Sequence, residues 1–336
     1  MISSLDLGTI LAFVVAFSIF VYVVMDGFDL GVALLFPFFP ERHDRDVMMN
    51  SVAPVWDGNE TWLVLGGGAL FAAFPLAYAI LMPALYAPII AMLLGLVFRG
   101  VAFEFRWRTE RGRFLWDIAF TGGSLVAAFA QGVALGAILQ GVTVTNNAYG
   151  GGWWDWATPF SALTGLAVVI GYALLGATWI ILKTEGTLRD HAYTLANRLT
   201  YTTLAAILLV SAVTPFLEAS YWQNWFAWPR ILLTAPVPLG VGVLAWLLLR
   251  RLAERRDAWP FPLTLALFGL CFVGLGVSIF PYIVPDTVTI AQAAAPRISQ
   301  IFILVGVAIL IPVILAYTAY AYWVFRGKMD PDEGYH

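Results

Sequence analysis

The chain has 336 residues, of which 61% are hydrophobic and 12% charged, with a mean hydropathy of +0.83 and a net charge of −3. This excludes a water-soluble domain, because 21 acidic and 18 basic residues cannot give a folded chain of that length a polar surface. It also offers no basic stripe for nucleic acid. The single cysteine, Cys271, excludes an internal disulfide or a cysteine-rich metal site and reads as a small buried hydrophobe.

Crossing a bilayer takes about twenty mainly apolar residues. In chain order the sequence predicts nine such stretches: 8–36, 51–74, 76–99, 114–140, 157–182, 199–217, 230–250, 261–283 and 299–325. The first is not a secretory leader, since it has no basic flank and is too long. With this division, all of the eighteen Lys and Arg residues except Arg230 and Arg297 fall on one side. That asymmetry predicts a periplasmic N-terminus and a cytoplasmic C-terminus. The opposite loops carry YGGGWWDW and SYWQNWFAW, whose Trp and Tyr fit an interfacial aromatic belt. Short loops without a linker predict one all-α transmembrane domain over 1–336, a polytopic helical bundle in a bacterial inner membrane surrounded by lipid. No G-x-x-x-x-G-K motif is present, which removes a nucleotide-driven pump.

Ionisable residues at membrane depth are expensive and so are functional candidates. The run Met25-Asp26-Gly27-Phe28-Asp29 places two carboxylates at i and i+3 on one helical face. The run Trp56-Asp57-Gly58-Asn59-Glu60-Thr61-Trp62 opens the second stretch, and both runs fall in the predicted cytoplasmic half. Carboxylates grouped in a dry setting can exchange protons near neutral pH. Asp26, Asp29 and Asp57 are therefore the candidate proton pathway, with Glu104 in Phe103-Glu104-Phe105-Arg106 as a further relay and Trp56, Asn59 and Trp62 as supporting residues. The plainer readings are helix capping or snorkelling for the aspartates, and ion pairing with Arg99, Arg106 or Arg108 for Glu104. Glu60 is left outside the core set.

His43, His191 and His336 fall in predicted loops or the tail, so no intramembrane histidine is expected as a haem or copper ligand. Met25, Met82 and Met92 read as core filler. No metal site is expected in this chain.

The runs DGFDLG, NSVAPVWDGNETWL followed by GGGALFAAFP, ILQGV, FPYIVPDTVTIAQAAAPRISQ and AYTAYAYW resemble subunit II of cytochrome bd quinol oxidases. The stretch from about 185 to 260 matches little. The short outer loop between the sixth and seventh stretches is closer to the cyanide-insensitive branch. The resemblance implies a larger partner, subunit I, that holds two b-type haems and one d-type haem, oxidises quinol and reduces oxygen to water with cytoplasmic protons; it leaves room for a small accessory subunit. By the same resemblance the intramembrane acidic residues of subunit II carry over to Asp26, Asp29 and Asp57, and this chain would give structural support and proton supply rather than catalysis of its own. A rival of another class is a proton-coupled secondary transporter, which calls for paired Gly/Pro-broken spans in two halves. Pro83 and Pro88 lie in the third stretch, but the second half shows no counterpart. A purely structural subunit is the third reading.

Overall fold

The computed structural model describes residues 6–329, so His336 lies outside the described residues. In chain order the helices are α1 (Leu7–Leu35), α2 (Arg42–Val52), α3 (Trp56–Ala73), α4 (Pro75–Ala84), α5 (Tyr86–Arg108) and α6 (Arg113–Leu139). A hairpin of β1 (Val144–Thr145) and β2 (Ala148–Tyr149) leads to α7 (Pro159–Lys183), α8 (Gly186–Val213), α9 (Ala219–Phe226), α10 (Ile231–Thr234), α11 (Pro236–Ala253) and α12 (Pro260–Ile279). A second hairpin, β3 (Tyr282–Val284) with β4 (Val288–Thr289), precedes α13 (Ile290–Ala293) and α14 (Arg297–Val324). Helices dominate because a backbone in lipid must satisfy its polar groups internally.

Among the described residues eight helical segments, against the nine stretches predicted, are long and apolar enough to cross a membrane: α1, α5, α6, α7, α8, α10 with α11, α12 and α14. The predicted stretch at 51–74 forms α3, which runs along α1 and carries three polar side chains, Asp57, Asn59 and Glu60, in its first turns. The predicted stretch at 76–99 is displaced. Pro83 sits in the last turns of α4, the chain breaks at Leu85 (φ −108°, ψ 15°), and the long helix begins at Tyr86. Proline has no N–H to continue a ladder and crowds the preceding turn, which favours a break there. Consequently α5 runs on to Arg108, and Arg99, expected at the end of its stretch, is buried inside the bundle.

The loops sort to two ends. At the basic end, Arg106 bonds to Asp46 and Asp117, tying α2, α5 and α6 together. At the same end Lys328 Nζ donates to the carbonyls of Ile181 and Thr184 and to Asp257. At the aromatic end, Ala295 N–H donates to Ala73 O, and Tyr221 donates to Leu139 O. The two hairpins, unpredicted from sequence, lie at this end. The first turns at Asn146 and Asn147, whose φ values of 50° and 60° suit the tight two-residue turn that Asn tolerates.

α1 is the axis of the bundle, packed by α3, α6 and α7. Its crossing with α7 is set by two glycines: a Cβ on Gly31 would stand 1.9 Å from Tyr172 O, and one on Gly176 would stand 2.2 Å from the Gly31 carbonyl carbon. Helices in lipid gain no hydrophobic advantage from association, so close backbone approach at small residues supplies the packing. Next to this crossing Phe28 stacks on Trp179 (4.3 Å, 24°) and meets Phe261 edge-on.

Candidate functional site

The crossing of α1, α3 and α5 brings opposite charges together in the interior. Asp26 on α1 and Arg99 on α5 are both fully buried, and Arg99 Nη1 donates to Asp26 Oδ1 at 2.5 Å. Arg99 Nη2 donates to Glu60 on α3 at 2.9 Å, and the Glu60 side chain is 26% exposed. One turn further along α1, buried Asp29 accepts from Asn59 Nδ2 at 2.6 Å. Asn59 Oδ1 in turn accepts from Tyr322 of α14 at 3.0 Å. Four helices therefore contribute to one connected cluster.

Local sequence explains the placement. In DGFDLG the two carboxylates share the α1 face that meets α3 and α5, while Gly27 and Gly31 let α7 press against the opposite side. A Cβ on Gly27 would stand 2.8 Å from the Tyr172 ring. In WDGNE, Asn59 and Glu60 are neighbours that take different partners, Asp29 and Arg99. Trp56 stacks flat on Phe103 (4.7 Å, 4°) and lies 5.7 Å from the Arg99 guanidinium, which shields that charge from outside.

Two carboxyl groups, Asp26 and Glu60, share the guanidinium of Arg99, and a third, Asp29, is held beside them by Asn59. An isolated buried charge is costly, and removing one partner of a buried pair costs about 3–5 kcal/mol. Asp26 Oδ2 and Asp29 Oδ1 are buried and accept no hydrogen bond, so each has an open position for one.

The predicted site residues divide. Asp26, Asp29, Asn59 and Trp56 meet in the cluster. Asp57 is exposed, one turn before Glu60 on α3. Trp62 is fully buried, but it packs edge-on against Phe17 (5.8 Å) away from the charges. Glu104 is 60% exposed and reaches only Arg108, at 3.8 Å, so the ion-pair reading describes it. Sequence reasoning left Glu60 outside the core set, read Arg99 only as an ion-pair partner for Glu104, and did not consider Tyr322. A lone arginine in LGLVFRGVAF was the available signal for Arg99, and the misplaced boundary of α5 hid it.

Two acidic groups outside the spans lie at opposite ends of the bundle. Burial pushes the Asp257 carboxyl up, but hydrogen bonds from Lys328 and Tyr193 and the charges of Lys328 and Arg189 outweigh it and hold Asp257 below the usual carboxylate range. At the other end, burial and then the neighbouring Asp286 raise Glu218.

Among the described residues, neither histidine faces the interior of the bundle as a haem ligand would. His43 is exposed near the start of α2, and His191 is exposed with its ring 4.6 Å from Phe39. The two cavities at the aromatic end, about 370 Å³ and about 220 Å³, are lined by neither His, Met nor Cys.

These features define a polytopic helical membrane protein with a buried carboxylate and guanidinium cluster. Residues 7–325 match the family model described as cytochrome bd terminal oxidase subunit II. The chain is 30% identical to the cytochrome bd-I ubiquinol oxidase subunit 2 of Escherichia coli K12 over 93% of this chain and 92% of that one. It is 28% identical to the cytochrome bd ubiquinol oxidase subunit 2 of Bacillus subtilis 168, covering 93% and 94%. A solved structure of bd oxidase from Geobacillus thermodenitrificans shares the fold, with a TM-score of 0.78, 17% identity and coverage of 95% and 98%. The chain belongs to the cytochrome bd terminal oxidase subunit II family, and it is a subunit of a quinol oxidase complex rather than a transporter.

Proposed function

We propose that the chain, as one transmembrane domain of a bacterial inner membrane, supplies protons to its oxidase from the basic, cytoplasmic end. Its partner is the larger subunit I, which carries two b-type haems and one d-type haem, takes electrons from quinol and reduces oxygen to water. Protons pass from exposed Asp57 to partly exposed Glu60 and on to Asp26, the two carboxyl groups that Arg99 holds, while Asn59 and Tyr322 orient Asp29 beside them. The observation that carries this reading is the triad Glu60–Arg99–Asp26, in which one carboxylate reaches the surface and the other is fully buried. A guanidinium does not release its proton, so Arg99 holds the two carboxyl groups and leaves them to exchange.

Asp26→Asn and Glu60→Gln in the purified complex test the reading. Each is expected to slow quinol-driven oxygen uptake by about tenfold or more, the size of a general acid–base contribution, with the haem spectrum intact. Wild-type turnover in both variants would sink the proton role. Loss of the haems would assign the cluster to assembly instead.

A further inference from the structure

One buried polar chain is not used by this route. Tyr172 on α7 donates to Gln131 Oε1 on α6 at 2.7 Å, and Gln131 Nε2 donates to the Tyr22 hydroxyl on α1 at 2.9 Å. Both tyrosines are fully buried and Gln131 is partly buried. Because Tyr22 receives its hydrogen bond from Gln131, its own hydrogen is left to give. Tyr22 lies one turn before Asp26, at i and i+4 on the same face of α1. Asp26 Oδ1 is taken by Arg99, whereas Oδ2 is buried with no donor. A hydroxyl hydrogen awaiting an acceptor and a carboxylate oxygen awaiting a donor therefore belong to residues one turn apart on one buried face of α1.

We propose that Tyr22, held by Gln131 and Tyr172, is the positioning residue for Asp26: its hydroxyl engages Oδ2 and keeps Oδ1 on Arg99. This deepens the proton-supply reading and rests on it. The charged and titratable groups around Asp26 are Arg99 from α5, Glu60 from α3, Asp29 and Tyr22 from α1, Tyr172 from α7 and Tyr322 from α14, whose hydroxyl is taken by Asn59. Of these, Tyr22 approaches with a donor whose direction is fixed by a second helix.

The chain orients and does not conduct. Proton hopping needs an atom at each station that both accepts and releases a proton, as a hydroxyl does. A primary amide accepts at oxygen and donates at nitrogen, so Gln131 passes orientation but no proton. Asp26 is thereby supported on the side away from Arg99 without a leak towards α7. Gly27 belongs to the same device, because the missing Cβ is what lets the Tyr172 ring lie against α1 beside Asp26.

The test compares Tyr22→Phe and Gln131→Leu with Phe268→Leu, a packing control that removes the ring stacked on Tyr172 at 6.1 Å but no hydrogen bond. Two quantities are read in the purified two-subunit oxidase. One is the pH profile of oxygen uptake. The other is the infrared carboxyl band of Asp26, identified by its loss in Asp26→Asn. Tyr22→Phe and Gln131→Leu are expected to move the band and displace the profile, with uptake roughly tenfold slower, as for loss of a hydrogen bond to a charged group, and an unchanged haem spectrum. Phe268→Leu is expected to move neither. In the Asp26→Asn background, Tyr22→Phe should change the profile no further. If Tyr22→Phe loses its haems, Tyr172→Phe, which removes only the outermost donor, replaces it with a smaller expected shift. A wild-type band and profile in the tyrosine variants, or an equal displacement by Phe268→Leu, overturns the positioning role. If Asp26→Asn itself leaves uptake unchanged, the proton-supply reading falls; if Asp26→Asn slows uptake and the tyrosine variants do not, only the positioning role falls.

Discussion

α7 and α14 are both apolar helices of spanning length, yet 67% of the most apolar window of α7 is buried within the chain and 6% of that of α14. α7 meets α1 through glycines that bring the two backbones into contact. α14 has no such crossing. It is held near its two ends by polar contacts: Ala295 N–H, just before the helix, donating to Ala73 O, Tyr322 donating to Asn59, and the strap after Phe325. In that strap Lys183 Nζ donates to the carbonyls of Phe325 and Gly327 while Lys328 returns to Ile181, Thr184 and Asp257. The contrast shows that an apolar helix needs either close backbone approach or specific hydrogen bonds to dock in lipid, since hydrophobicity alone holds it in the bilayer without choosing a neighbour.

The sharpest way to break the α7 arrangement is Gly31→Val. The added atoms would overlap the Tyr172 carbonyl, forcing α1 and α7 apart at a cost of about 3 kcal/mol or more, and would carry Asp26 and Asp29 out of line. Loss of recoverable complex and a lowered Tm in detergent are expected; a wild-type melting curve would refute the packing argument.

For α14 the strap is the weak point. Lys328→Ala should cost about 1–2 kcal/mol through its lost hydrogen bonds, read as faster proteolysis at the C-terminus while α1 and α7 stay protected. The Asp257 part of this strap is pH-dependent. A carboxyl held below its unfolded value stabilises fully above that unfolded value, and the contribution is lost as pH falls through the lower folded one. Protease protection of the strap should therefore fall on acidification below the usual carboxylate range and be unchanged between neutral and mildly alkaline pH.

Glu104→Gln sharpens the comparison from the other side. Its exposed pair with Arg108 is worth less than about 1 kcal/mol, so uptake and stability should match the wild type. A clear loss of turnover would restore Glu104 to the proton route.

Hydropathy and the one-sided Lys and Arg distribution made the all-α membrane class legible, because lipid permits few solutions and charge marks loops. The motifs DGFDLG and WDGN pointed to Asp26, Asp29 and Asn59 because polar residues are rare enough at membrane depth to stand out. Only the tertiary structure decided the rest. It moved Arg99 into the interior by starting α5 after the Pro83 break, admitted Glu60 and Tyr322 to the cluster, and left Asp57 and Glu104 exposed. The physical reason is that periodicity along one helix states which residues share a face, whereas the partner across that face depends on crossing depth and angle, and those were set here by glycines 27, 31 and 176 on two helices far apart in sequence.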